Sequence, residues 1–311
     1  MTNRLPDFFV VGAQKAGTTT LHEWLEQSSE IAMPWSKETH FFRDVEKFSK
    51  GPDWYLKQFK SLKPQTKVVG EIDPEYMYFP ECAERIKTLN PKPKLIFVLR
   101  DPVSRAHSHY KMSLRRGYET LSFEEALVAE KDRLSEGGRF SQIHHSYIGR
   151  GLYSEQIARM LSTFKDAEVM VIPFEHLFSS QEIAMRTLRE ICDFIGISHS
   201  GLTVDVMVKE NQAAEARFAF VRDFIYGKGK LKRMIGRIIP SKEMKIRIMR
   251  FLDRANLRPA VSTGKNDNAG EVKIPAFVYE TFIDDLRRLE KSVKIDVSCW
   301  IAKYEEELAK R

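Results

Sequence analysis

The stretch "FFVVGAQKAGTTTL" (residues 8–21) joins a short apolar run to the start of a helix through a glycine-rich turn. A phosphate-binding loop of the nucleotide triphosphatases reads GxxxxGK[ST], with lysine directly after the second glycine. Gly12 and Gly17 have this spacing, but Thr18 takes the lysine position and Lys15 lies inside the loop. A strand, a turn and a helix in this order direct backbone N–H groups and a positive helix dipole end at one point. The stretch therefore predicts an anion site.

The side chains of this loop fit the same interpretation. The threonines add hydroxyl donors, the lysine adds a full charge, and glycine lets the backbone approach a ligand closely. A glycine-rich connector with a solvated lysine is the alternative. The candidate anion-binding residues are Lys15, Ala16, Gly17, Thr18, Thr19 and Thr20.

Apolar runs bounded by turn signals alternate with segments of helical period along the chain. Runs of this length suit strands that are buried on both faces of a parallel sheet. The predicted strands are "FFVVG" (8–12), "KVVGE" (67–71), "KLIFVLR" (94–100) and "EVMVIP" (168–173). The predicted helices between them are 18–27, 81–89, 122–134 and 154–164, with Ser122 and Ser154 as N-caps and Glu125 completing a capping box. This alternation predicts an α/β fold, a P-loop-like parallel sheet flanked by helices.

The 311 residues are expected to form one domain, with a core over about 5–204. A basic helical excursion follows over about 205–260, and a loop and an amphipathic helix (277–293) close the chain over 261–311. The segment 227–259 is rich in Lys and Arg with apolar residues at helical spacing. It predicts either a solvated basic face or a surface for an acidic substrate or anionic lipid, which would allow peripheral membrane contact.

Charge and cysteine content narrow the class of protein. The formal net charge of +7 favours anionic ligands, although we expect no nucleic-acid partner. Three widely separated cysteines without a CxxC pair indicate neither a disulfide framework nor a zinc site. The apolar run near the N-terminus is too short for a signal peptide or a membrane span. These features predict a cytoplasmic protein without a transmembrane segment.

The strand that ends in "LIFVLRDP" carries Arg100 where a triphosphatase would carry a metal-binding aspartate. Asp101 precedes a proline and suits a turn. If Pro102 starts a helix, Ser108 can present its hydroxyl near the Arg100 guanidinium, a suitable cradle for a phosphate monoester. A strand-to-helix turn with ordinary surface charges is the alternative. The pattern predicts a second anion site that requires no metal.

Four motifs in this order resemble the sulfotransferases that use 3′-phosphoadenosine 5′-phosphosulfate (PAPS). The similarity is greatest to the heparan sulfate sulfotransferase branch and its bacterial members, and it covers roughly residues 5 to 200. The motifs are "GAQKAGTTTL", "KETHFF", "LRDPVSRAHSHY" and "YIGRGLYSEQIARML".

The resemblance implies roles for the two anion sites. Lys15 and the loop after it match the site of the 5′-phosphosulfate, with the lysine near the oxygen that bridges phosphate and sulfate. Arg100 and Ser108 match the pair that binds the 3′-phosphate. PAPS is then the sulfuryl donor and the bisphosphate PAP is the product.

The segment "SKETHFF" (36–42) contains the candidate base. A carboxylate against aromatic residues could have its pKa raised by desolvation, but the stretch also fits an exposed turn before an ordinary aromatic core. The resemblance implies that Glu38 is the general base, with Lys15 stabilising the leaving group. His40 could orient the acceptor or serve as an alternative base.

One departure from the family lies in "GEIDPEY", where the heparan branch has a lysine that assists at the reaction centre. Ile72 takes that position here, and Asp73 follows. Glu71 and Asp73 could line the acceptor pocket, or Asp73 could form a turn before Pro74. The departure leaves the acceptor and the full mechanism open.

Three functions follow from the sequence. The first is sulfuryl transfer from PAPS to a hydroxyl group of a small-molecule, glycan or lipid-like acceptor, with no metal required. The second is a P-loop kinase or nucleotide triphosphatase, which the displaced lysine disfavours. The third is a non-catalytic relative that binds nucleotide, which the joint presence of Lys15, Glu38, Arg100 and Ser108 disfavours.

Overall fold

The computed structural model of the chain describes residues 4–206, 214–216, 255, 257–259 and 273–311. The chain divides into two compact units. The first consists of Met1–Arg105, Gly149–Val208 and Tyr279–Arg311, and the second of Ala106–Ile148 and Lys209–Val278. A single domain stays a prediction. Apart from short pieces, the basic segment 227–259 and the loop 262–275 lie outside the described residues.

A five-stranded parallel sheet forms the centre of the first unit, in the order β2, β3, β1, β4, β5. The strands are β1 (Phe8–Gly12), β2 (Ile31–Ala32), β3 (Val68–Ile72), β4 (Lys94–Leu99) and β5 (Val169–Pro173). All residues of β1 and β3 are buried, whereas β5 at the edge is only partly covered. The predicted α/β fold and its four strands are confirmed; the two-residue strand β2 carried no sequence signal.

Helices lie between and after the strands, and those predicted over 18–27, 81–89 and 154–164 are found to within two residues at each end. They are α1 (Thr18–Leu25), α2 (Val45–Phe48), α3 (Gly51–Leu56), α4 (Glu81–Leu89), α5 (Pro102–Arg116), α6 (Phe123–Val128), α7 (Glu130–Glu136), α8 (Gly138–His144), α9 (Tyr153–Thr163), α10 (Phe174–Phe178), α11 (Gln181–Ile195), α12 (Ala276–Ser292) and α13 (Ser298–Ala309). The predicted helix 122–134 is divided in two at Ala129, and its capping box at Ser122 is confirmed.

The predicted cap of α9 is wrong. This helix begins at Tyr153, and the Ser154 hydroxyl donates to the buried Asp285 carboxylate of α12. The Ser154 backbone N–H also donates to Asp285, over 3.1 Å. A buried carboxylate needs such donors, so the serine stabilises a contact between helices instead of a helix end.

Outside the main sheet, β6 (Ala214–Ala216) and β7 (Leu257–Pro259) of the second unit pair antiparallel. None of the helices in the described part of the chain is long and apolar enough to cross a membrane.

Candidate active site

The glycine-rich loop leaves β1 and enters α1 through Gly17, which has a left-handed φ of 79°. A Cβ atom at this position would lie 2.5 Å from a ring carbon of Phe178. Backbone conformation and space therefore both require glycine here. Lys15 also has a left-handed φ, 74°, which a residue with a side chain rarely adopts. Thr18 is buried, Thr20 is half-buried and Thr19 is exposed, so the predicted hydroxyl donors differ in access.

Arg100 follows β4 and lies against this loop. Its Nη1 donates to the Lys15 carbonyl oxygen over 3.1 Å, and its guanidinium stacks on the Phe174 ring with 4.4 Å to the ring centroid. The Arg100 guanidinium thus lies against the backbone of the loop that carries Lys15. Ser108 is half-buried on α5, and its pairing with Arg100 stays a prediction.

Lys37 connects the loop to the candidate base. Its Nζ donates to Thr18 Oγ1 over 3.2 Å and to Glu38 Oε1 over 2.7 Å. One ammonium group therefore joins the first turn of α1 to the carboxylate that the resemblance marked as base. No role was predicted for Lys37 from the sequence, because its contact with Thr18 depends on the tertiary structure.

The pKa of Glu38 is lowered, contrary to the expectation from its aromatic neighbours. Burial alone would raise this pKa, but the charges of Lys37 and His40 outweigh that effect. The Glu38 side chain is still 31% exposed. An ionised, partly accessible carboxylate can accept a proton at neutral pH.

His40 lies between carboxylates. Its Nδ1 is 2.9 Å from Asp73 Oδ2, its Nε2 is 3.6 Å from Glu38 Oε2, and Glu75 Oε2 is 3.6 Å from Nδ1. Burial alone would lower the pKa of His40, but the Asp73 charge and hydrogen bond raise it overall. Asp73 also accepts the Glu75 backbone N–H over 3.2 Å, so it both forms the predicted turn and contacts the site.

Thr39, between the two candidate catalytic residues, is held from several sides. Its N–H donates to Glu71 Oε1 over 3.0 Å, and its carbonyl oxygen accepts from Lys47 Nζ over 2.7 Å. The hydroxyls of Tyr55 and Tyr76 also donate to the Glu71 carboxylate, over 2.6 and 3.1 Å. Glu71 is fully buried, so it supports the site from behind and does not line an open acceptor pocket.

A second buried ion cluster adjoins this group. The Glu75 carboxylate pairs with the guanidinium groups of Arg43 and Arg150, the latter over 3.1 Å. Arg150 is buried and stacks on the Tyr78 ring, 4.4 Å from its centroid. Arg150 lies in the motif "YIGRGLYSEQIARML", and no role was predicted for it. A buried ion pair of distant residues is a tertiary feature.

The ligand atoms of Glu38, His40 and Asp73 lie within 4.8 Å of one another, a spacing that could accommodate a metal ion. However, Asp73 Oδ2 already accepts two hydrogen bonds from His40, and Lys37 bonds Glu38. The three side chains are therefore joined by the hydrogen bond between His40 and Asp73 and by the 3.6 Å ion-pair contact between His40 and Glu38. For a bound anionic ligand, the groups of suitable charge are Lys15, Arg100 and the N–H groups at the start of α1.

Comparison with known proteins gives the family of the chain. The family model described as the sulfotransferase domain matches residues 5–222. The membrane-associated sulfotransferase kil1 of Dictyostelium discoideum is 38% identical over 140 residues, 40% of this chain and 29% of that protein. The mouse heparan sulfate glucosamine 3-O-sulfotransferase 3B1 is 30% identical over 199 residues, 63% of this chain and 47% of that protein.

The chain thus spans about half or less of the length of these curated relatives. A sulfotransferase from Alicyclobacillus acidocaldarius has a similar crystal structure, with a TM-score of 0.63 and 25% sequence identity over 96% of this chain and 99% of that one. The family model covers well over half of the sequence, including the loop, the strand-end arginine and the Glu38 segment. The chain therefore belongs to the sulfotransferase family, as its motifs predicted.

Proposed function

We propose that the protein transfers the sulfuryl group of PAPS to a hydroxyl group of an acceptor. Sulfotransferases use PAPS as donor. The observation that carries the proposal is the contact of Lys37 with both Thr18 and Glu38, since it joins the predicted phosphosulfate loop to the predicted base. In-line transfer requires this proximity of donor and base.

The proposed reaction is a displacement at sulfur. The acceptor oxygen forms a bond to sulfur while the bond between sulfur and the bridging phosphate oxygen breaks, and PAP leaves. Glu38 takes the acceptor proton, which its lowered pKa permits because the carboxylate is ionised at neutral pH. Lys15 and the loop N–H groups stabilise the charge that develops on the leaving oxygen. Arg100 and Ser108 bind the 3′-phosphate, and no metal ion is required.

The acceptor is proposed only by class: a small molecule, a glycan or a lipid-like alcohol. The names of relatives that act on heparan sulfate support a glycan. Ile72 is fully buried in β3, so the position where the heparan branch has its lysine supplies no charge here. Peripheral membrane contact through 227–259 and a cytoplasmic location both stay predictions from the sequence.

Calorimetry with PAP in the absence of magnesium tests donor binding. We expect binding without metal. ATP binding that depends on magnesium, together with no response to PAP, would refute the donor assignment and favour a kinase or nucleotide triphosphatase.

Transfer of labelled sulfate from PAPS to a panel of alcohols tests catalysis. Glu38→Gln should retain PAP affinity and lose most turnover, whereas the control Glu46→Gln on the exposed face of α2 should retain both. Unchanged turnover in Glu38→Gln would remove Glu38 as the base.

A further inference from the structure

Asp73 makes an unusual set of contacts with one residue of the site. Its side chain is fully buried, and its Oδ2 accepts hydrogen bonds from both the backbone N–H and the ring Nδ1 of His40, each over 2.9 Å. One carboxylate oxygen therefore fixes the main chain and the ring of the same histidine.

This contact determines which ring nitrogen carries the proton. A carboxylate only accepts, so the Nδ1 that bonds Asp73 must be the protonated nitrogen in the neutral ring. The other nitrogen, Nε2, then points toward Glu38 Oε2, 3.6 Å away. In the charged ring, both nitrogens donate and His40 bridges two carboxylates.

The backbone of His40 also depends on this contact. Its φ is 55°, in the left-handed region that side-chain-bearing residues rarely adopt. Such a conformation costs of order 1 kcal/mol or more and persists where surrounding contacts hold it. The Asp73 bond to the backbone N–H is such a contact, and Glu71 and Lys47 hold the preceding residue.

The other charges near His40 leave this role to Asp73. Glu75 faces the ring from the same turn, but its carboxylate is paired with Arg43 and Arg150. Glu38 lies on the opposite nitrogen and is bonded by Lys37. Arg43 is the facing cation, and it opposes protonation of the ring.

We propose that Asp73 is a positioning residue, which sets the orientation and tautomer of His40 so that the unprotonated Nε2 faces Glu38 and can accept a hydrogen bond from its carboxyl group once Glu38 has taken the acceptor proton. This inference rests on the proposed function for its catalytic part. Asp73 does not touch the reacting atoms; it acts through His40. No change in the proton balance follows, because Glu38 still receives the proton.

Nitrogen NMR of the histidine ring tests the arrangement without turnover. In the wild-type protein, neutral His40 should carry its proton on Nδ1, and it should titrate above its ordinary pKa of 6.5, the direction that the Asp73 contact gives. Asp73→Asn retains size and one acceptor oxygen but removes the charge. It should lower the pKa of His40, because it removes the neighbouring charge that raises it.

Steady-state kinetics of the same variant tests the catalytic part. Asp73→Asn should lower kcat by roughly 10- to 100-fold, the range known for partners that orient metal-ligating side chains, which act in the same way on a histidine ring. PAP affinity should stay within about twofold, because the Asp73 side chain bonds His40 and the Glu75 backbone and not the donor loop. The matched control is Asp53→Asn on the exposed face of α3, which should change neither the His40 titration nor kcat.

Neutral wild-type His40 protonated on Nε2 would overturn the proposal, and this measurement decides even if Asp73→Asn does not fold. An unchanged His40 titration and kcat in Asp73→Asn would also overturn it. If the wild type transfers no sulfuryl group while His40 shows the predicted tautomer and dependence on Asp73, the proposed function fails and the positioning of His40 by Asp73 stands.

Discussion

Replacement of Glu71 by glutamine should make the stability of the protein less dependent on pH. Burial, followed by the nearby Asp73 charge, raises the pKa of Glu71 from 4.5 to about 7. Glutamine has the same shape and can accept the Thr39 N–H, but it does not ionise. The substitution therefore removes one titration and retains the support of the site.

The sign of the pH dependence of stability follows from the raised pKa of Glu71. Below pH 4.5 the carboxyl is protonated in both the folded and the unfolded chain, and it contributes no pH dependence. Between 4.5 and about 7 the folded state binds more protons, so the free energy of unfolding falls as the pH rises. Above about pH 7 this loss of unfolding free energy is nearly complete, and it amounts to about 3 kcal/mol. About 2.5 kcal/mol of this loss falls between pH 5 and pH 8.

Urea unfolding of both proteins at pH 5, 6, 7 and 8, followed by tryptophan fluorescence, measures this loss. The wild type should lose about 2.5 kcal/mol more than Glu71→Gln between the two end points. Glu46→Gln, an exposed glutamate on α2, is the matched control and should follow the wild type. Parallel curves for wild type and Glu71→Gln would refute the assignment of the raised pKa to Glu71.

Three substitutions test the donor loop by calorimetry with PAP and by PAPS turnover. Gly17→Ala combines a strain of about 1–2 kcal/mol with a clash against Phe178, so PAP affinity should fall about tenfold or more; unchanged affinity contradicts the geometry. Phe174→Leu removes the ring beneath Arg100, worth about 0.5–1 kcal/mol, so the Kd should rise roughly two- to fivefold; a stable variant with wild-type Kd would exclude this support. Lys15→Ala should lower kcat by roughly 100-fold and also weaken binding, and wild-type turnover would remove Lys15 from the leaving-group site.

Much of the fold could be predicted because it depends on patterns of neighbouring residues. Strands β1, β3, β4 and β5 are short runs of consecutive, mainly apolar residues, a pattern that predicts buried strands. The wrong predictions about the fold concerned the N-cap of α9 and the continuity of the helix predicted over 122–134. Ser154 precedes a helical run as a cap would, but it bonds a carboxylate more than a hundred positions away, which no local pattern reveals.

The candidate site was likewise predicted only in part. The motifs marked Lys15, Glu38 and Arg100, and the structure brings the loop lysine to the arginine and, through Lys37, the loop to the glutamate. The predicted rise of the Glu38 pKa was wrong. Aromatic neighbours in the sequence indicate desolvation, but the effect of cations depends on which side chains lie close in space.

By itself the sequence determined the α/β fold and the family, because these depend on residue type, order and spacing. The residues expected to meet the donor stay predictions. Only the tertiary structure decided the surroundings of His40 and Glu38. Asp73 is distant from His40 in sequence, and only the parallel pairing of β1 with β3 and of β2 with β3 brings their loops to one edge of the sheet. Hydrogen bonds and charges act over a few ångströms in space, and sequence separation does not measure that distance.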